Sequence, residues 1–279
     1  MNVFFFHSGN QAYLETAVKH ASYKNNVILI GDKTNSHLGN IPKVQHIELD
    51  NCRNDVDRFL SAYKHLHTGG QKFEEWCFIR WFAVRNVAKQ LGLESVFYSD
   101  SDNLIYSDLN EVYEEIDKPD LALSVPAYQP PYRHAATGEV SYWSYDKLNE
   151  FCDFILNIYE DEFDFSRLLD KWSYHVENKL PGGICDMTVL WHFCNENSPE
   201  IITKILPSDT TFDHSINNSC NHENDEYLME NGLKKIEFID GEPYGFNVLQ
   251  QKKVRFHNLQ FQGNTKHLMD NYVRYNNSK

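Results

Sequence analysis

Short apolar runs alternate with helical stripes along the first half of the chain. Residues 3–7 (VFFFH) are a brief apolar run that reads as a strand. Residues 10–23 then place Tyr13, Leu14, Ala17, Val18 and Ala21 at helical spacing. Residues 27–30 read as a second strand, closed by Gly31 and Asp32, and residues 44–49 as a third. Residues 56–65 and 73–91 carry helical patterns. Residues 95–99 give a fourth strand, ended by Asp100, Ser101 and Asp102, and residues 121–125 a fifth. This alternation predicts an α/β fold whose mostly parallel central sheet is flanked by helices. Right-handed crossovers put the strand C-terminal ends along one rim, where such sheets bind ligands.

The second half is less regular. Residues 126–142 hold three prolines and read as a loop. Residues 143–159 and 165–177 have helical patterns, Pro181-Gly182-Gly183 breaks the chain, and residues 186–195 look helical again. Residues 235–240 and 254–261 read as strands, and residues 263–275 as a closing helix. No repeat or linker interrupts the pattern, so residues 1–279 are expected to form one domain with an irregular C-terminal half.

Composition narrows the function classes. Aromatics are 14% of the 279 residues, which excludes disorder and supplies a large core. No apolar run approaches the ~20 residues of a membrane span. Lys plus Arg number 26 against 40 Asp plus Glu, a net charge of −14, which disfavours nucleic acid and anionic lipid as partners. The six cysteines form no CxxC and read as free thiols in a reducing compartment. The start of the chain lacks a basic n-region and reads as a strand instead of a signal peptide. A cytoplasmic location, or a peripheral one at a membrane face, is the expectation.

The sharpest local feature is VFYSDSDNLIYSDL, residues 96–109. Period-two geometry puts the Asp100 and Asp102 carboxylates on one side of the strand end. Two like charges this close call for a cation, and Mg²⁺ or Mn²⁺ suits carboxylate oxygens together with substrate phosphates. A bare D-x-D also occurs on turns and caps; the apolar strand before it favours the metal.

With those residues the chain resembles GT-A-type glycosyltransferases, which use nucleotide-diphosphate sugars. VFFFHSGNQAYLETAVKHA with VILIGD is similar to the first βαβ unit of that fold. The segment from KFEEW to YSDSDNLIYSDL resembles the helix and strand that deliver the D-x-D. GGICDMTVL resembles the GG-x-x-D segment of a bacterial-type group, and FQGNTKHLM its closing H-F-Q-G-x-x-K motif.

The resemblance implies a role for each matching residue. Residues 1–125 would bind the nucleotide sugar, and residues 126–279 would take the acceptor and close the fold. His7, Ser8, Gly9 and Asn10 would touch the base or ribose, with Asp32 nearby or serving only the turn after Gly31. Asp100 and Asp102 would hold the metal on the diphosphate, with Ser101 between them on the donor. Arg80, on a largely apolar face with Phe73, Cys77, Trp81 and Val84, needs a partner: a phosphate, the Asp pair or a structural salt bridge. Arg85 is expected in solvent. Gly182 and Gly183 would let the backbone approach the donor sugar. Asp186 would be the catalytic base of an inverting enzyme, or else an N-cap; a retaining enzyme needs no such base. Gly263 and Lys266 would close over the diphosphate.

One position departs from the family pattern. His directly before Phe-Gln-Gly completes the metal shell there, and Gln260 stands in that place here. His257, three residues earlier, faces the other way on a regular strand, so either Gln260 or a bulged His257 would be the third ligand. The loop with Tyr128, Tyr132, His134 and Tyr142 would shape the acceptor site or be a plain surface loop.

The resulting expectation is a metal-dependent transferase moving a sugar from a UDP-type donor to a glycan or lipid-linked acceptor, as in bacterial or viral polysaccharide synthesis. Three rivals compete. A HAD-type phosphatase would carry D-x-D near its start, with Thr or Val where Leu104 stands. A sugar nucleotidyltransferase would carry a Gly-rich, Arg-containing loop in place of His7 to Gln11. A catalytically impaired nucleotide-sugar or glycan-binding module is the third.

Overall fold

A computed structural model of the chain describes residues 1–274. In chain order the first elements are β1 (Asn2–Phe6), α1 (Ala12–Lys24), β2 (Asn26–Gly31), β3 (Val44–Glu48), α2 (Val56–Ala62) and α3 (Gln71–Gln90). Next come β4 (Ser95–Ser99), β5 (Asn103–Ile105), α4 (Leu109–Glu115), β6 (Leu121–Ser124), β7 (Thr137–Ser144), α5 (Tyr145–Glu160), α6 (Glu162–Glu177) and α7 (Asp186–Asn197). The chain continues through β8 (Glu200–Ile201), β9 (Thr210–Thr211), β10 (Met229–Glu230), β11 (Leu233–Lys234), β12 (Ile236–Ile239), β13 (Glu242–Asn247), β14 (Lys252–Phe256), β15 (Asn258–Gln260) and α8 (Met269–Tyr272).

A seven-stranded sheet in the order β3-β2-β1-β4-β7-β6-β8 forms the centre. β3, β2, β1 and β4 run parallel, and β7 lies antiparallel between β4 and β6. Val3, Phe4 and Phe5 are all fully buried, because helices or the C-terminal segment cover both faces of β1. Period-two alternation sorts their side chains: Phe4, Ile28 and Ile30 pack with α2, α3 and α5, while Val3, Phe5, Val27 and Leu29 pack with α1 and the C-terminal strands. β1 pairs with β2 on one side and β4 on the other. The strand order therefore reverses at β1 and β4, which opens a crevice beyond their C-terminal ends.

Several sequence expectations change. Residues 126–142 are not one loop, since residues 137–142 belong to β7, an internal strand of the sheet. Its polar residues hid it: Glu139 is buried against His214, and the Ser141 hydroxyl accepts from the Trp143 indole. The expected strand over 254–261 is two strands, parted at His257. The closing segment is a 3-10 turn (Gly263–Leu268) followed by α8; the expected helix end at residue 275 lies outside the described residues.

Candidate active site

The crevice at the β1–β4 switch holds a cavity of about 460 Å³. Its floor is the turn after β4. Asp100 and Asp102 sit in that turn, one residue past the strand, and both line the cavity. Its polar lining also includes His7 and Ser8 after β1, Arg80 on α3, and Lys266.

Arg80 is the hub of the charge network. Its guanidinium donates to Asp100 Oδ1 at 2.7 Å and to Asp186 Oδ2 at 2.5 Å. Tyr98 also donates its hydroxyl to Asp100 Oδ1, at 2.8 Å. Of the partners expected for Arg80, the structure places one member of the Asp pair, Asp100, beside it together with Asp186. Asp186 is the first residue of α7, preceded by Cys185 at the cap position, and is 2% exposed. Its Oδ2 also accepts from the Trp81 indole at 3.0 Å. It is neither an N-cap nor a carboxylate open to an acceptor.

Lys266 lies 3.1 Å from Asp102 Oδ2 and 4.9 Å from the Tyr13 ring centroid. It comes within reach because β15 pairs antiparallel with β5, matching Gln260 to Asn103, and the Phe261 N–H donates to the Asp102 carbonyl. Asp102 Oδ1 is buried and has no hydrogen-bond partner among the described residues. Enclosure in the cleft pushes the Asp100 carboxyl up to about 6; Arg80 opposes that rise and the Asp102 charge adds to it.

The loop after β1 organises a second compartment. Gly9 adopts φ +93°, which turns its N–H onto Asp32 Oδ2 at 2.8 Å, beside the Ser8 hydroxyl at 2.7 Å. Partial burial works against the Asp32 charge. Hydrogen bonds from Thr34, Ser8 and the Gly9 N–H outweigh it and hold the carboxyl well below its usual range. Asp32 and Ser8 line a cavity of about 500 Å³, which shares Ser8 and Trp76 with the Asp-pair cavity. The two form one trough. The His7 ring reaches Ser101 Oγ at 2.7 Å across it, and burial chiefly lowers the His7 pKa.

Other expected residues lie elsewhere. Asn10 and Gly263 are exposed and line neither cavity. Gly182 and Gly183 line a separate cavity of about 300 Å³. At Gly183 the close backbone approach is to the chain itself: a Cβ there would stand 2.3 Å from the Leu66 carbonyl oxygen, at φ +144°. His257 is fully buried, with Nδ1 2.7 Å from Ser107 Oγ and its ring against Phe212, and burial lowers its pKa to about 3. Gln260 is buried too, and its side-chain oxygen accepts from Gln262 at 3.3 Å. Neither lines the Asp-pair cavity. Among the described residues no cluster of three His, Cys, Asp or Glu is arranged to hold a metal ion.

Corrections and additions also fall on α3. Arg85, expected in solvent, is buried and bridges Asp55 at 2.8 Å. Phe73, expected on the apolar face, is 69% exposed at the cleft mouth, next to Trp76. Phe73, Trp76 and Arg80 therefore make one stripe along the trough. Sequence reading missed Trp76 and Tyr98; the i, i+3, i+7 spacing from Phe73 was the available signal for Trp76, whereas Tyr98, on β4, carried none.

The architecture matches solved structures. Mouse xyloside xylosyltransferase 1, in its apo form, superposes with a TM-score of 0.51 at 11% identity, covering 72% of this chain and 84% of that one. The chain has a GT-A-like fold. Two further similar structures are an active-site mutant of LgtC (TM-score 0.40, 12% identity, 68% and 69% coverage) and the glycosyltransferase GlyE of Streptococcus pneumoniae TIGR4 (0.35, 16%, 75% and 45%). No protein-family model matches the chain, and no curated protein matches it by sequence. No described helix is long and apolar enough to cross a membrane.

Proposed function

We propose that this chain is a metal-dependent glycosyltransferase that moves a sugar from a nucleotide-diphosphate donor, UDP-type favoured, to a glycan or lipid-linked acceptor. The observation that carries this reading is the two-part trough at the β1–β4 switch. It has a hydrogen-bonding carboxylate, Asp32, at one end and two carboxylates between two cations at the other. The Asp32 carboxylate, whose oxygens already accept from Thr34, Ser8 and Gly9, shapes a polar compartment for a ribose, and Trp76 between the compartments offers a ring face to a base.

The Asp pair fits Mn²⁺ or Mg²⁺. Asp102 presents a buried oxygen without a protein donor, and Lys266 holds a positive charge beside its other oxygen. Two carboxylates suffice where substrate phosphates and waters fill the remaining positions, as Mg²⁺ prefers. When bound there, the metal supplies Lewis-acid stabilisation of the departing diphosphate. Arg80 and Lys266 place two further cations where that negative charge grows. Asp186 acts as a positioning residue, aiming the Arg80 fork at Asp100. His257 and Gln260 are not needed as ligands in this reading.

The test is slow donor hydrolysis with Mn²⁺ and a panel of UDP-, GDP- and dTDP-sugars. The double variant Asp100→Ala, Asp102→Ala is the control. Release of one nucleoside diphosphate, abolished by EDTA and in the control, supports the reading and names the donor. The lack of a third side-chain ligand beside the Asp pair among the described residues favours one alternative, a catalytically impaired nucleotide-sugar-binding module. Metal-dependent stabilisation by UDP without any turnover would select it.

A further inference from the structure

We propose that the 300 Å³ cavity beside the donor trough receives an anionic group, the carboxylate or phosphate of a charged sugar unit of the substrate. This rests on the sugar-transferase reading and specifies its substrate class. The chain carries a net charge of −14, yet among the described residues no Asp or Glu lines this cavity. Its titratable lining includes Arg133, Lys171, His67, His175 and His214.

Two of these are cations without a carboxylate partner among the described residues. Arg133 is exposed at the cavity, and its guanidinium donors are open to a ligand. Lys171 is 5% exposed, and its ammonium bonds the Arg133 carbonyl and the Thr188 hydroxyl, both at 2.7 Å. With the His134 carbonyl at 3.5 Å, those contacts occupy its three donors but leave its charge unpaired, and a buried charge is costly when unpaired. Burial lowers the Lys171 pKa and the neighbouring Arg133 adds to that; the charge of an anion in the cavity opposes that shift.

The nearest acids stand behind the imidazoles. Glu74 is 3.0 Å from His67 Nδ1, and Glu139 is 2.8 Å from His214 Nδ1. Neither lines the cavity, and burial, reinforced by Asp186, raises the Glu74 carboxyl to about 7. A bound anion therefore meets ring edges and two cations before it meets a carboxylate. Gly182 faces the His67 and His175 rings, where a Cβ would stand 3.7–3.8 Å from them, and its lack of a side chain leaves that space open. The cavity also adjoins the donor trough. The Asp100 N–H donates to the Glu139 carbonyl at 2.8 Å, and Cys185 in the cavity wall precedes Asp186, which binds Arg80.

The test compares methyl β-D-glucuronide, glucose 1-phosphate and methyl β-D-glucoside as probes, by calorimetry on protein saturated with UDP and Mn²⁺. The charged probes are expected to bind at least about tenfold more tightly than the neutral one, and Arg133→Glu to abolish that difference. Arg133 is exposed, so this variant keeps the fold. Equal binding of charged and neutral probes, or discrimination that survives Arg133→Glu, overturns the proposal.

A second arm locates the charge. A preference for UDP-glucuronate over UDP-glucose, lost in Arg133→Glu, puts the anionic group on the donor; charged-probe binding that persists beside UDP-glucose puts it on the acceptor. Thermal stabilisation by UDP plus Mn²⁺, compared with the Asp100→Ala, Asp102→Ala control, is scored separately. Its failure with charge discrimination intact removes the transferase reading and leaves an anionic-sugar site. The reverse result removes only this proposal.

Discussion

Asp186 gives the sharpest test, because two roles for it predict different outcomes. Asp186→Ala removes a 2%-exposed carboxylate that holds both the Arg80 guanidinium and the Trp81 indole. Breaking one partner out of a buried ion pair costs about 3–5 kcal/mol. A domain of roughly this size loses about 2–4 °C of Tm per kcal/mol, so a drop of about 6–20 °C is expected. Arg80 would keep Asp100 as its remaining carboxylate, which places the loss toward the lower end. The double variant Arg80→Met, Asp186→Ala is expected to be less destabilised than the sum of the single changes, by about 0.5–3 kcal/mol. Differential scanning calorimetry measures the stabilities, and donor hydrolysis across pH measures the chemistry. A positioning role raises the KM for the donor, leaves the limbs of the pH profile in place, and is partly rescued by Asp186→Asn, which retains an acceptor. If Asp186→Asn melted within about 1 °C of the parent while kcat fell at least 100-fold and one pH limb vanished, Asp186 would be a base and this reasoning would be wrong.

Further outcomes follow from the same geometry. Lys266→Ala removes a pair that is a third exposed on the lysine side, so stability should fall by no more than about 1 kcal/mol, while the KM for the donor rises about tenfold; an unchanged KM would take Lys266 out of the diphosphate site. Asp32 is held below its ordinary pKa on folding, so it contributes stability above the unfolded value near 4 that is lost as pH falls through the folded value. The stability gap between the parent and Asp32→Asn, read from urea melts, should be constant above about pH 5 and shrink below about pH 4; a gap that widens in acid contradicts the assignment. Gly183→Ala would force a Cβ to within 2.3 Å of the Leu66 carbonyl, with destabilisation of about 1–3 kcal/mol or more expected by calorimetry, and a neutral result would mean that residues 66–68 move freely.

The sequence alone determined the local features of this protein. Short continuous apolar runs and stripes of period 3.6 marked β1, α1, β2, β3, α3, β4 and β6 to within a few residues, because inner strands bury both faces and helices bury one. The pair Asp100 and Asp102 was legible for the same reason: it follows an apolar strand directly. Tertiary structure decided what depends on distant partners. β7 reads as a loop until Glu139 meets His214 and Ser141 meets Trp143, since buried polar residues look exposed until their partners are known. Arg85 reads as solvated until Asp55 is placed beside it. Lys266 reaches Asp102 only through the pairing of β15 with β5, whose register spans about 155 residues of chain. That same pairing carries His257 into the core and away from the cleft. Whether a side chain is a ligand, a brace or core is set by register and packing across such separations, and no local spacing encodes it.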